Sequence, residues 1–254
     1  LGTSVGGTRG LACRVHSQVS ARRTGGPETK GPVESHRWPE RLSARVVSPE
    51  PVLVHGYALD SDLAVHYGFM DLCFLAFTGT LPPSAGARAL FESALLIAAP
   101  ISVAEAPAHA GLLARLCGAS ESASVAAGSV VLSEQAQYHL ELMGPLLDAL
   151  AAGASLLVPE PLQALSQREV ESLAHWRPRL PAALRPLFDQ RASRLTLAVA
   201  VLSLAGVPRQ GALSAALCWA RVPLMSAEIL AQPPLDFGGY PMDKPEFVYE
   251  EAER

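Results

Sequence analysis

Residues 52–96, VLVHGYALDSDLAVHYGFMDLCFLAFTGTLPPSAGARALFESALL, decide the fold class. They open with β-branched residues just after a Ser-Pro-Glu-Pro turn, and the alternation over 41–57 is the one strand signal in the chain. It predicts a short hairpin. Apolar residues then recur at helical spacing over 63–78, and Gly79 is placed to end that helix. Two prolines lead into Ser84, whose hydroxyl can cap the next helix.

The rest of the chain continues as apolar helices separated by turn residues. Ser166 and Glu169 have the spacing of a capping box, and Gly206 is placed to stop a helix. The segment 176–186, rich in proline and arginine, predicts a loop or a hinge. Helical periodicity gives helices at residues 84–99, 108–117, 122–132, 137–151, 167–175, 195–205 and 209–231. The expected fold class is therefore all-α with a short N-terminal β-hairpin.

Composition limits the classes of partner. The chain has 254 residues, 49% of them hydrophobic, so it can bury the core of one large domain or of two intertwined domains. Its formal net charge of -4 gives no basic footprint, so nucleic acid is not expected as a partner. The longest apolar run, 195–207, is shorter than the roughly 20 residues that cross a bilayer, so no membrane partner is expected either.

The cysteines and the N-terminal segment bear on location. The four cysteines lie far apart, with no C-x-x-C pair and no histidine at metal-ligand spacing, so we expect reduced thiols and no metal site. No secretory signal is visible, and we expect a cytoplasmic protein. Residues 1–36 are rich in glycine and poor in large apolar side chains, which predicts a flexible arm. A transit peptide or a nucleic-acid-binding arm is the alternative for this segment. The cysteines are Cys13, Cys73, Cys117 and Cys218.

Three short motifs make the sequence resemble a known family. They are His55-Gly56-Tyr57, then Thr78-Gly79-Thr80-Leu81-Pro82, then Ser84 with Arg88-Ala89-Leu90. In order and spacing they resemble the R-G-Y turn, the (T/R)-G-x-L-P segment and the S-x-x-x-A-x-x-L helix start of short bacterial citrate synthase-like proteins, a group that includes citryl-CoA lyases. Segments 106–132 and 202–232 are similar to further helices of that family, and 238–251 is similar to its C-terminal ending.

The resemblance implies a two-domain helical fold. A large domain would comprise 37–139 and 193–254, a smaller domain would be inserted at 140–192, and an acyl-CoA would bind in the cleft. Proteins of this family join or cleave a carbon-carbon bond beside a thioester carbonyl. That reaction needs a carboxylate to take the α-proton and a neutral donor to stabilise the enolate oxygen. A coenzyme A thioester is the expected ligand, and no tightly bound cofactor is expected.

Several positions of the family's catalytic residues hold other residue types in this chain. The enolate-stabilising histidine of the family's H-G-G-A motif falls at Ala136. His139 lies three residues downstream, and we interpret it as a helix-face residue. The proton-abstracting aspartate falls at Leu195, and leucine cannot act as a base. A further substrate-contacting histidine falls at Ser102.

Three residues remain as candidates for a site. His175 falls at the family's keto-polarising histidine and would be a catalytic remnant; the alternative is a partly buried structural side chain beside Trp176. Arg221 matches the family's carboxylate-binding arginine, with the alternative that it closes its helix against the dipole. Arg179, in the proline-rich loop, is a second candidate for substrate binding.

Two functions follow from this pattern. The favoured one is a catalytically degenerate citrate synthase-like subunit, a structural or regulatory partner of an active paralogue. The alternative is an active acyl-CoA-dependent carbon-carbon bond-forming transferase or citryl-CoA lyase with a rearranged site. In either case the resemblance implies a homodimer, or a heteromer with the paralogue, formed through helices that contain small residues. Those residues are Ala126, Ala127, Gly128, Ala215 and Ala216.

Overall fold

The structure is a computed structural model that describes residues 44–209 and 211–233. Within these residues the prediction of an all-α fold with a small N-terminal sheet is confirmed. The predicted flexible arm, 1–36, and the family-like ending, 238–251, lie outside the described residues. The division of the chain into a large and an inserted domain, with boundaries at 140 and 192, stays a prediction.

The predicted hairpin is present, and a third short strand extends it. The strands pair antiparallel in the order β1-β2-β3, and Val54 pairs with both Val47 and Tyr57. Val54 is buried and packs in a small cluster with Leu63 and Leu75, which fixes the sheet against the first helices. The strands are β1 Val47–Pro49, β2 Val52–Val54 and β3 Tyr57–Ala58.

Helices form the rest of the described chain. A π-helical turn, Leu59–Leu63, leads into α1, and 3-10 turns lie at Glu160–Leu162 and Ala182–Leu184. The predicted loop at 176–186 therefore contains one of these turns. The α-helices are α1 Ala64–His66, α2 Phe69–Thr78, α3 Ala85–Ala98, α4 Ala106–Leu116, α5 Glu121–Ala151, α6 Gln167–Ala174, α7 Arg185–Asp189, α8 Arg194–Leu204 and α9 Ala212–Ala231.

Local signals for helix ends are confirmed. The Ser84 hydroxyl accepts a hydrogen bond from the backbone N–H of the third residue of α3, at 3.1 Å. The Ser166 hydroxyl accepts one from the N–H of Glu169 at 3.2 Å. Gly79 and Gly206 follow α2 and α8 with φ of +76° and +94°, a left-handed conformation that glycine adopts without a Cβ penalty.

The prediction of two helices at 122–132 and 137–151 is wrong, because α5 runs unbroken through both. The four residues between them, Ser-Glu-Gln-Ala, include no glycine or proline and are compatible with a helix. The buried residues of α5 stay on one face through this point, although Leu132 packs in a small cluster with Ala108 while Ala136 packs in the main core. The single helix predicted at 63–78 is instead interrupted before Gly68, which caps α2.

The core is organised around α8. Its residues from Leu197 to Leu202 are all buried, at 0–1% exposure, so this helix is apolar on every side and lies inside the domain. It packs against α3, α5 and α9. Among the described residues, α9 is the one helix that is long and apolar enough to cross a bilayer. Buried core helices of other proteins meet the same two criteria. Its residues Leu213 and Leu217 pack in the main core.

Two glycines let α4, α5 and α9 approach closely. A Cβ added at Gly111 would overlap Ile229 Cδ1 and lie 3.0 Å from the backbone oxygen of Ser124. A Cβ added at Gly128 would lie 3.0 Å from the backbone oxygen of Pro107. Gly128 therefore serves packing within one chain. Ala216, also predicted to face a second copy, is buried in the core of the same chain.

We expect Gly111→Ala to lower the free energy of unfolding by about 1–3 kcal/mol, because the added methyl overpacks the contact between α4 and α9. Ile229→Val removes the overlapping methyl and should restore part of that loss in the double variant. Gly144→Ala is the matched control. A Cβ there meets nothing within 4 Å, so it should leave stability unchanged or raise it. Urea denaturation of the four proteins measures the effect, and equal losses at both glycines would contradict the packing argument.

Candidate functional site

A buried arginine defines the candidate site. Arg221 lies in the middle of α9 with 2% of its surface exposed, and a charge removed from water at that depth must be paired. Its Nη2 donates to Glu105 Oε2 at 2.6 Å and to the backbone oxygen of Pro100 at 3.1 Å. Its Nη1 donates to Gln135 Oε1 at 3.4 Å. These contacts tie together α9, α5 and the segment before α4.

Glu105 is held in place by the backbone at the start of α4. It is the residue that precedes the first turn, with an extended backbone, and its Oε1 accepts a hydrogen bond from the N–H of Ser102 at 2.8 Å. One carboxylate oxygen is therefore used by the backbone and the other by Arg221. The Glu105 side chain is 32% exposed, so the ion pair has its cation inside the protein and its anion at the boundary with solvent.

One donor of Arg221 is left without a partner. The guanidinium carries five N–H groups, and the Nε atom is buried without a hydrogen-bond partner among the described residues. A buried unsatisfied donor of this kind is rare in folded proteins and costs free energy. The Nε edge of the guanidinium therefore has one donor that could bind a further acceptor.

His139 lies one helical turn after Gln135 on the same face of α5. Its Nε2 is 3.4 Å from Thr196 Oγ1 on α8. The Thr196 hydroxyl itself donates to the backbone oxygen of Leu162 at 2.8 Å, so we assign the proton of this contact to His139 Nε2. Burial, and secondarily the positive charge of Arg221, lower the pKa of His139 to about 4. The imidazole is therefore neutral at physiological pH.

Arg194, the first residue of α8, borders the cluster. Its guanidinium donates to the backbone oxygen of Ile97 at 3.1 Å and to Ser172 Oγ at 2.6 Å. Burial lowers the pKa of Arg194, and the negative charge of Glu169 opposes that change. Glu169 accepts the backbone N–H of Arg194 at 2.8 Å. The predicted capping-box residue thus links α6 to α8 in addition to starting its own helix.

The structure separates the three predicted site residues. Arg221 is in the buried cluster, and because α9 continues ten residues beyond it, the alternative that it closes its helix is wrong. His175 follows the end of α6 and is exposed, so the alternative of a partly buried structural side chain is wrong. Arg179 is exposed as well, with its guanidinium carbon 5.7 Å from the centroid of the Trp176 ring. No hydrogen bond or ion pair found within the described residues joins either of them to Arg221.

The two helices that hold Ala136 and Leu195, α5 and α8, contact each other, but their polar contact is made by other residues. Ala136 is buried in the apolar core, and Leu195 packs against the same core. Their neighbours on α5 and α8, His139 and Thr196, make the polar contact between the two helices. His139 lies on the face of α5 that meets α8, where it contacts Thr196.

Sequence reasoning missed three members of the cluster, Glu105, Gln135 and Arg194. A signal was present for the first two, because an arginine in the middle of an apolar helix must have buried acceptors somewhere in the fold. Which residues supply them depends on how α4 and α5 pack against α9. That information lies in contacts more than eighty residues apart along the chain.

Solved structures share this fold. Citryl-CoA lyase from Hydrogenobacter thermophilus matches with a TM-score of 0.56 and 16% sequence identity, over 84% of this chain and 96% of that chain. ATP citrate lyase from Methanothrix soehngenii, in complex with citrate and coenzyme A, matches with a TM-score of 0.56 and 14% identity, over 95% and 47% of the two chains. The Methanosaeta concilii ATP citrate lyase bound to (3S)-citryl-CoA has a TM-score of 0.56 and 14% identity, over 86% and 43%.

These comparisons confirm the resemblance at the level of fold, which is citrate synthase-like. This chain spans nearly the whole of the citryl-CoA lyase but less than half of each ATP citrate lyase chain. No protein-family model matches the sequence, and a search of curated proteins finds no significant match.

We expect His139 to make the protein less stable on acidification. Its pKa is about 4 in the folded protein and 6.5 ordinarily, so between these values the unfolded chain binds a proton that the folded chain does not. Its contribution is fully present above pH 6.5 and is lost as the pH falls toward 4. The loss should be on the order of 3 kcal/mol.

Urea denaturation between pH 7 and pH 4 measures this effect against His139→Gln, which cannot titrate. The difference in unfolding free energy between wild type and variant should move in favour of the variant as the pH falls. His175→Gln, at an exposed histidine, is the matched control and should follow the wild type. Parallel curves for wild type and His139→Gln would show that the imidazole is not held neutral by the fold.

Proposed function

We propose that this chain is a catalytically degenerate citrate synthase-like subunit that acts as a structural or regulatory partner of an active paralogue. One observation carries the proposal. The two positions that resemble the family's catalytic histidine and aspartate hold Ala136 and Leu195, and both side chains pack with the apolar core. Neither can donate or accept a proton, and the packing leaves no acid or base at these positions.

The polar groups near these positions are already engaged. Glu105 accepts from Arg221 and from the backbone of Ser102, and Glu169 accepts from the backbone N–H groups of Leu165 and Arg194. A general base must reach the substrate proton within hydrogen-bond distance. Each of these carboxylates would first have to give up its internal donors, so both support the architecture rather than proton transfer.

A second candidate function is favoured by a separate observation. His139 and Thr196 meet where α5 meets α8, and a neutral imidazole can donate a hydrogen bond to an enolate oxygen. A rearranged site built on His139, with Arg221 beside it, would support an acyl-CoA-dependent transferase or citryl-CoA lyase. A coenzyme A thioester is then the ligand that we propose. The bound molecules of the structurally similar ATP citrate lyases support this ligand class.

Assays of condensation and of cleavage separate the two functions. Thiol release from acetyl-CoA with oxaloacetate tests condensation followed by hydrolysis. Oxaloacetate formation from citryl-CoA tests cleavage, because that reaction gives acetyl-CoA and frees no thiol. With the protein at high micromolar concentration we expect neither product above the rate without protein, because loss of both base and oxyanion donor removes most transition-state stabilisation. Turnover near the usual range of about 1–1000 per second would overturn the degenerate assignment. Its disappearance in His139→Gln would then establish the rearranged site.

The partner role requires a surface for a second chain, and exposed apolar residues support one. Val130 on α5 is 64% exposed, and Leu224 and Leu230 on α9 are 50% and 44% exposed. These helices are among those that the family resemblance assigns to an interface between subunits. We also propose a cytoplasmic location, which the reduced state expected of scattered cysteines such as Cys73 and Cys218 supports.

We expect the tagged chain, purified from its native host, to bring with it a second citrate synthase-like chain that retains the family's H-G-G-A motif and aspartate. Val130→Glu should abolish this association without unfolding the protein, because the residue is exposed in one chain and a charge in the interface would lose its water. Leu165→Glu, at a loop residue that is 99% exposed, is the matched control. A wild type that stays monomeric at micromolar concentration and captures no such chain would refute the partner role.

A further inference from the structure

The Arg221–Glu105 pair differs from the other ion pairs of the described residues. In the others the arginine is partly or well exposed, as for Arg177 with 48% of its side chain in solvent. Arg221 has 2% exposure, while its carboxylate partner keeps 32%. The cation is therefore fixed inside the protein, and only the anion borders the solvent.

The pairing uses the guanidinium incompletely. Arginine binds a carboxylate most strongly when two parallel N–H groups each donate to one oxygen. Here only Nη2 donates to Glu105, because the second carboxylate oxygen is taken by the N–H of Ser102. Nη2 and Nε lie on one edge of the guanidinium, and Nε is the buried donor that has no partner. A carboxylate with two free oxygens fits that edge better than Glu105 does.

Glu105 is also placed where it can leave. It precedes the first turn of α4, outside the helical hydrogen-bond ladder, and residues 102–104 before it are exposed. Withdrawal of its side chain costs the hydrogen bonds to Ser102 and Arg221, while the hydrogen bonds of Arg221 to Pro100 and Gln135 do not involve Glu105. Arg194 is a second positive charge at the border of the cluster, partly balanced by Glu169, which accepts its backbone N–H at 2.8 Å.

From these contacts we infer that Glu105 is a built-in carboxylate that occupies the anion-binding edge of Arg221 and keeps a carboxylate site closed. A small carboxylate binds there by displacing Glu105 and accepting from both Nη2 and Nε. This inference goes beyond the proposed function, because it holds whether or not the chain turns over a thioester.

The test opens the site by removing the internal carboxylate. Glu105→Ala leaves Arg221 without its anion. The melting temperature of the variant should therefore lie roughly 5–15 °C below that of the wild type. Added sodium acetate should raise the melting temperature of the variant toward the wild-type value and reach a plateau. Sodium chloride at the same ionic strength should not raise it. By calorimetry the variant should bind acetate or citrate at least about tenfold more tightly than the wild type.

Two further variants make the result specific. The double variant Glu105→Ala/Arg221→Met should not respond to acetate. Glu121→Ala removes an exposed carboxylate that pairs with Arg115. This control should respond to acetate no more than the wild type does. If Glu105→Ala does not fold, Glu105→Gln is used in its stead, because glutamine keeps the size of the side chain and a hydrogen-bond acceptor but carries no charge. Equal carboxylate affinity in wild type and variant, or no binding by the opened variant, overturns the inference. Both readouts are binding measurements, so they are separate from the thiol-release test.

Discussion

The charge of Arg221 constrains this fold more than any other single group. A guanidinium with 2% exposure cannot stay in an apolar helix without acceptors, and the chain supplies them from three separate places. Pro100 gives a backbone oxygen, Gln135 an amide oxygen and Glu105 a carboxylate. Meeting this demand fixes the position of α5 and of the α4 start relative to α9. A core built from apolar contacts alone would leave these positions far less specified.

The same three helices also meet at the closest backbone approach that the glycines reveal. Gly111 and Gly128 have no side chain where Ile229 of α9 needs the space. Close packing and the ion pair therefore act on the same interface. An added methyl at Gly111 would push α9 away from α4, and Arg221 would move with it. Packing in this part of the protein thus sets the geometry of the polar cluster.

Local chemistry was readable from the sequence, and long-range pairing was not. A hairpin within 41–57 and caps at Ser84 and Gly79 follow from turn and capping signals a few residues long. The structure has these caps, and its hairpin strands begin at Val47. The continuity of α5 was missed because the polar residues 133–135 interrupt the apolar sequence, although the buried residues keep to one face of the helix. The partners of Arg221 were missed for a different reason. From the sequence one can infer that a buried cation needs hydrogen-bond acceptors, but not which helices supply them.

The two positions that the family resemblance assigns to catalytic residues lie on helices that meet in the structure. Ala136 and Leu195 pack with the core, and polar contacts have formed beside them through His139 and Thr196. Catalytic groups are held partly desolvated and cost stability, whereas apolar side chains at the same positions add to the core. With apolar residues at these two positions, the region where α5 meets α8 is part of the protein's packing. Under the proposed function the fold keeps its shape without the family's chemistry, because the shape depends on core contacts to which Ala136 and Leu195 contribute.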